Sequence, residues 1–172
     1  MAAALVTAAL LGLAELIDPG PSRQRDLAPA LVVARVIAPG PQLATAQGLR
    51  AETASSSLGK VLAVARADED DLYGAMDWLL ARQHRVAGAL AARHLSEGTL
   101  VLYDVSSAAF EGTKCTFAKV GYARDGVKGR SQVVYGLLTS KKGMPVAVEV
   151  FEGSTGDLPT RCKKSKASDS AM

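Results

Sequence analysis

Cysteine is nearly absent from this chain. Cys115 and Cys162 are the only two in 172 residues. That excludes a disulfide framework and a thiolate metal cluster, and it makes a reducing, cytoplasmic setting the default expectation. Aromatic residues are also scarce, at 5%, with a single Trp. Much of the apolar 48% is alanine, so the expected core is shallow and helix-rich. Histidine occurs twice, as His84 and His94. Both fall in a helical pattern and read as exposed helix residues rather than ligands. No apolar run is long enough to span a membrane. The N-terminal stretch MAAALVTAALLGLAELIDPG has no basic residue before Arg23, and Glu15 and Asp18 close it early. It reads as an amphipathic or buried helix rather than a targeting segment, with no membrane association.

Charge of one sign is lacking overall but not locally. The net charge is +3. Residues 1–97 carry nine Lys/Arg against ten Asp/Glu, while residues 98–172 carry eleven against seven. The second part is therefore the better face for a polyanion.

The pattern along the chain predicts an α+β fold with a helical N-terminal region over 1–97. Residues 2–17 read as one helix stopped by DPGPS. Residues 25–40 read as a second, broken or kinked near Pro29 and ended by Pro39-Gly40. A short helix, a serine-rich loop and another short helix follow. The clearest helix is expected over 68–95, with Leu72, Met76, Leu79, Leu80, Val86 and Leu90 at helical spacing. Acidic residues 68–71 crowd its first turn and Arg93 and His94 its last, and Trp78 is expected in its core. From Ser96 onward the pattern changes. Runs at 99–106, 131–139 and 144–153 read as strands, the last two joined by a Ser-Lys-Lys-Gly turn. In the third, Val146, Val148 and Val150 alternate with Ala147, Glu149 and Phe151. The expectation is one antiparallel sheet with Asp104 near the end of a strand that has a single neighbour. Residues 161–172 have neither periodicity nor strand signal and read as a disordered, out-of-frame tail.

Three segments carry more than periodicity: LVLYDVSSAAFEG, AKVGYARDGVKGRSQVVYGLL and GMPVAVEVFEGSTGDLPT. In this order and spacing they resemble the start of the catalytic domain of bacterial insertion-sequence transposases with an Asp-Asp-Glu triad, of the insertion-sequence-four-like group. A weaker resemblance extends upstream, so that it covers roughly residues 25–160. It implies that residues 98–160 are the first three strands of a ribonuclease-H-like domain, with Asp104 as the first catalytic carboxylate and a ligand of Mg²⁺ or Mn²⁺. In that family two such ions drive phosphodiester cleavage and strand transfer. The partner implied is DNA, at insertion-sequence ends. The family's second aspartate and its glutamate come from a fourth strand and a later helix, and nothing in these 172 residues resembles either. The expectation is therefore a truncated, inactive fragment that holds no metal tightly. The alternative is a non-catalytic fragment that binds DNA or forms homo- or hetero-oligomers and interferes with a full-length enzyme.

Other polar residues are weighed beside Asp104. Glu111 reads as a structural loop residue and Asp157 as a helix cap. Arg124, Lys128, Arg130, Lys141 and Lys142 lie in glycine-bearing connections. They read equally as phosphate contacts and as a solvated hairpin. Cys115 reads as buried and unreactive.

Overall fold

The computed structural model describes residues 2–50, 57–96, 101–122, 126, 129–130 and 131–156. The chain is α+β and divides into two compact units, 1–86 and 87–172. The serine-rich loop, the start of the first expected strand at Thr99 and Leu100, Asp157, and the tail 161–172 lie outside the described residues.

The first unit is helical: α1 (Ala2–Leu10), α2 (Leu13–Ile17), α3 (Arg23–Ile37), α4 (Gln42–Leu49), α5 (Leu58–Val61) and α6 (Glu69–Leu80). Its core is small aliphatic, as the composition implies. Leu27, Ala30 and Val33 of α3 meet Ala46 and Leu49 of α4, Leu58 of α5, Val64, Ala67, and Leu72 and Ala75 of α6. Local signals fix the helix starts. Ser22 accepts the Arg25 N–H at 3.1 Å at the head of α3. Asp68 and Asp71 form a reciprocal capping box on α6, at 2.9 and 3.2 Å.

Several helical expectations need correction. The 2–17 helix is two helices, because Gly12 takes a left-handed φ of 62° that ends α1 and turns the chain into α2. Of the two alternatives at Pro29, the break does not occur. The second helix starts earlier, at Arg23, and runs through Pro29, whose neighbours Leu27, Ala28 and Ala30 are all buried. Packing there offsets the hydrogen bond that proline cannot donate. The 68–95 helix is also two, α6 and α7 (Gln83–His94). Arg82 makes the break. Its N–H turns back to the Leu79 carbonyl at 3.0 Å. Its guanidinium bonds the Trp78 carbonyl at 3.2 Å and the Asp18 carboxylate at 2.7 Å. The same guanidinium lies 3.8 Å over the Trp78 ring. Trp78 is therefore half-buried under a cation and not a core residue. The buried stripe of α6 is Leu72 and Ala75, while Met76 and Leu80 are exposed. His84 is exposed as expected, but His94 is half-buried.

Two aspartates tie this unit together electrostatically. The Arg82 hydrogen bond, helped by the Gly20 N–H, holds the Asp18 carboxyl below its ordinary value. Arg23, bonded at 2.6 Å, does the same for Asp71, helped by the Asp68 N–H. A carboxylate with a depressed folded pKa contributes stability that is present above the unfolded value, about 4, and lost as pH falls through the folded one. Urea midpoints of this unit are thus expected to be flat near neutrality and to drop below about pH 4, and the drop should shrink in Asp18→Asn.

The second unit is a sheet of β1 (Val101–Ala109), β2 (Lys119–Val120), β3 (Ser131–Ser140) and β4 (Pro145–Glu152). β3 is its centre, antiparallel to all three others. β1 lies along one edge of β3. On the other edge, β4 pairs as far as Val133↔Glu152, and β2 continues the edge with Lys119↔Gln132. The three expected strands do form one antiparallel sheet in the order β1-β3-β4, and among the described residues β1 has one neighbour. β1 is longer than expected, reaching Ala109. β2, a two-residue strand inside the expected loop, has too short a run to leave a sequence pattern.

The Ser-Lys-Lys-Gly turn is as expected, with Gly143 at φ 78° and its N–H bonded to the Ser140 carbonyl at 2.8 Å. The valine alternation of β4 is not. Thr139 pairs with Pro145 and Leu138 with Ala147, so Val146 is the extra residue of a bulge. Val146 is buried, while Val148 and Val150 stand exposed on the face they share with Tyr135 and Leu137.

Candidate functional site

Asp104 pairs with Leu137, which in turn pairs with Val148, so the three form one row across the sheet. Directly opposed residues share a face. Asp104 therefore projects from the face that carries Leu102, Ser106, Tyr135, Val148 and Val150. It is exposed. It sits fourth in a nine-residue strand, not near the strand end as expected, because pairing continues through Ser106, Ser107 and Ala108.

The opposite face shows why Tyr103 does not join it. The Tyr103 ring lies across β3, and a Cβ on Gly136 would coincide with its hydroxyl. That hydroxyl is buried and has no hydrogen-bond partner among the described residues. Burial, with the Glu149 carboxylate adding to it, raises the phenol above its ordinary pKa.

The second carboxylate weighed beside Asp104 is far away. Glu111 follows the end of β1, roughly 20 Å along the strand direction from Asp104 at about 3.4 Å per residue. It lies 3.8 Å from Arg130, both side chains exposed, as a structural loop residue would. Among the described residues, no group of three His, Cys, Asp or Glu is placed to hold a metal ion. A divalent cation needs several hard oxygen ligands, so Asp104 with its described neighbours does not make a complete site.

Among the described basic residues, Arg130 and the Lys141–Lys142 pair do not lie together. Arg130 precedes β3, and Lys141 and Lys142 follow it. The ten residues of that strand hold them roughly 30 Å apart. Arg124 and Lys128 lie outside the described residues. Asp104 pairs three residues from the Ser140 end of β3, so the lysine turn is the nearer cation group and Arg130 the farther. Cys115 is half-buried, with a free thiol.

Sequence reasoning missed Gln132. It is 4% exposed, and its side-chain amide donates to the Tyr122 carbonyl at 2.8 Å and the Gly153 carbonyl at 3.0 Å. Gly121 and Gly153 press against the same place. A Cβ on Gly121 would overlap the Gly153 carbonyl, and one on Gly153 would overlap the Gln132 and Lys119 carbonyls. Three separate pieces of sequence, Gly121-Tyr122, the start of SQVVYG and the end of VFEG, thus converge on one packed node. Their shared task is to let β2, β3 and the end of β4 approach closely. Spacing of the glycines was visible in the sequence, but a buried strand glutamine gives no signal until its two carbonyl partners are known.

α3 and α4 together have the length and apolarity of a span but meet at 105°, and no single helix among the described residues is long and apolar enough to cross a membrane. No family model, no curated protein and no solved structure matches this chain.

Proposed function

We propose that residues 98–160 are the opening part of a ribonuclease-H-like transposase core, with Asp104 as its first metal-binding carboxylate. The observation that carries this reading is the placement of Asp104. It is the one charged residue of β1, exposed, on a strand with a single neighbour among the described residues, in a sheet ordered β1-β3-β4. That is the strand order the motif resemblance implies, with the carboxylate on the strand whose far edge a fourth strand would take. In the intact enzyme Asp104 would hold Mg²⁺ or Mn²⁺, which supplies the Lewis acid for phosphodiester chemistry. The described residues add no second ligand, so this chain's own contribution is to hold one carboxylate on a strand and present cations to DNA.

The experiment measures duplex DNA binding by the 172-residue chain across a salt series, with and without Mn²⁺. Binding is expected to be sequence-independent, with log K falling by about 0.9 per log unit of salt for each phosphate neutralised. Replacing Lys141 and Lys142 with alanine is expected to reduce the slope by about 2, and Arg130→Ala by about 1. Mn²⁺ titration alone is expected to show no tight two-ion site. Absence of binding at low salt in a folded sample would overturn the DNA reading, and weak Mn²⁺ binding that is indifferent to Asp104→Asn would overturn the role of Asp104.

A second reading is a non-catalytic fragment that associates with other chains. The observation favouring it is the outer edge of β1, which pairs with no strand among the described residues.

A further inference from the structure

The phase of β1 can be read from one bond. The Phe110 N–H donates to the Ser131 carbonyl at 2.8 Å, continuing the register in which Ala109 faces Gln132. Hydrogen-bonded and non-hydrogen-bonded pairs alternate along an antiparallel ladder. The even-numbered residues of β1, Leu102, Asp104, Ser106 and Ala108, therefore turn their backbone groups toward β3. The odd-numbered ones, Val101, Tyr103, Val105, Ser107 and Ala109, turn theirs outward. β3 is the one strand paired with β1 among the described residues. The outer edge is nine residues long and lightly protected: it has no proline, no lysine and no bulge, and Asp104 is its single charge.

We infer that this edge pairs with the same edge of a second copy of the chain, antiparallel about a twofold axis through Val105. The sequence of β1 is self-complementary in that register. Its first part is large, Val101, Leu102 and Tyr103, and its last part is small, Ser107, Ala108 and Ala109. Twofold pairing about Val105 sets Val101 against Ala109, Leu102 against Ala108 and Tyr103 against Ser107 of the other copy. Every outward backbone group then meets another outward one, as an antiparallel ladder requires. Asp104 falls opposite Ser106, whose hydroxyl can donate to the carboxylate. Sliding the axis by one residue to Asp104 would set two carboxylates directly opposite each other, which is destabilising. Sliding it to Ser106 shortens the overlap and places Tyr103 against Ala109. The result is a continuous sheet, β4-β3-β1-β1-β3-β4, that satisfies both exposed edges. This inference stands on the β1 edge alone, so loss of DNA binding would leave it untouched.

The test is sedimentation of the full chain over a wide concentration range, beside two variants. Val105→Pro and Ser107→Pro each remove an N–H that points away from β3, so the monomer sheet can keep its ladder. Both are expected to raise the dimer dissociation constant about tenfold or more, with amide protection in β3 and β4 retained. In a background with Cys115 and Cys162 changed to serine, Val105→Cys is expected to form a disulfide-linked dimer on oxidation. Cα atoms in a directly opposed hydrogen-bonded pair lie about 5.5 Å apart, within disulfide reach. Asp104→Cys in the same background is expected to link far more slowly. A chain that stays monomeric at all concentrations, a dimer indifferent to both prolines, or equal cross-linking at 104 and 105 would overturn the inference. Dimerisation indifferent to the prolines would move the contact to the apolar face of Tyr135, Val148 and Val150.

Discussion

Leu72→Ala lowers the stability of the helical unit by about 2–5 kcal/mol, the range for removing a buried leucine from a core that cannot close around the gap. Leu72 is 0% exposed and meets side chains from α3 and α4 in a core made mostly of alanine and short aliphatic residues. Such neighbours have little length to swing into the cavity, so the loss belongs toward the upper part of the range. Trp78, the single Trp, lies in the same unit, so urea unfolding followed by its fluorescence reports the change. Gly74→Ala, two residues along α6, is the control of opposite sign. A Cβ there meets nothing within 4 Å, and the helix gains about 1 kcal/mol in propensity. A Leu72→Ala midpoint equal to wild type would remove Leu72 from the core.

Gly153→Ala has the largest expected effect in the sheet unit, above about 3 kcal/mol, at the severe end of overpacking. The reason is space rather than backbone angle, since the added Cβ would overlap carbonyl oxygens in two different strands, those of Gln132 and Lys119. Backbone cannot step aside as a side chain can. Gln132→Ala is expected to cost about 1–3 kcal/mol by leaving the Tyr122 and Gly153 carbonyls without their shared donor. Amide exchange across β3 is the measurement. Protection in β3 that survives Gly153→Ala unchanged would show that the node yields more easily than its packing implies.

Those two sites mark the limits of what sequence could say. The start of α6 was legible because the acidic run at Asp68–Asp71 caps through local hydrogen bonds, whereas the start of α3 was placed two residues late because Ser22 read as part of a stop and not as a cap. The Lys141–Gly143 turn was legible because glycine there takes a left-handed angle. The helix break at Arg82 was not, because it depends on Asp18, 64 residues away, and on a cation resting on Trp78. The bulge at Val146 was hidden because alternation is a property of an unbroken register, and a shift between strands leaves no mark in one strand's residues. At the candidate site, the chemistry of Asp104 came from motif resemblance. Nothing about an aspartate in an apolar run distinguishes a metal ligand from an exposed strand residue. Arg130, Lys141 and Lys142 read together in the sequence, but a ten-residue strand lies between Arg130 and Lys141 and holds them apart.

Because β1, β2 and β4 all bond to β3, the order in which the sheet can assemble is constrained by the ribosome. β1 is synthesised first, yet it has no partner until Ser140 has emerged. At roughly 5–20 residues per second that wait lasts about a few seconds. β3 and β4 are separated only by the turn at residues 141–144, so their hairpin closes a short loop at little entropic cost, whereas β1 must close the longer connection of residues 110–130. The hairpin is then the template and β1 the late arrival. On a polysome, neighbouring nascent chains would each expose a waiting β1 at the same moment, which makes co-translational encounter the natural birthplace of any pairing between copies.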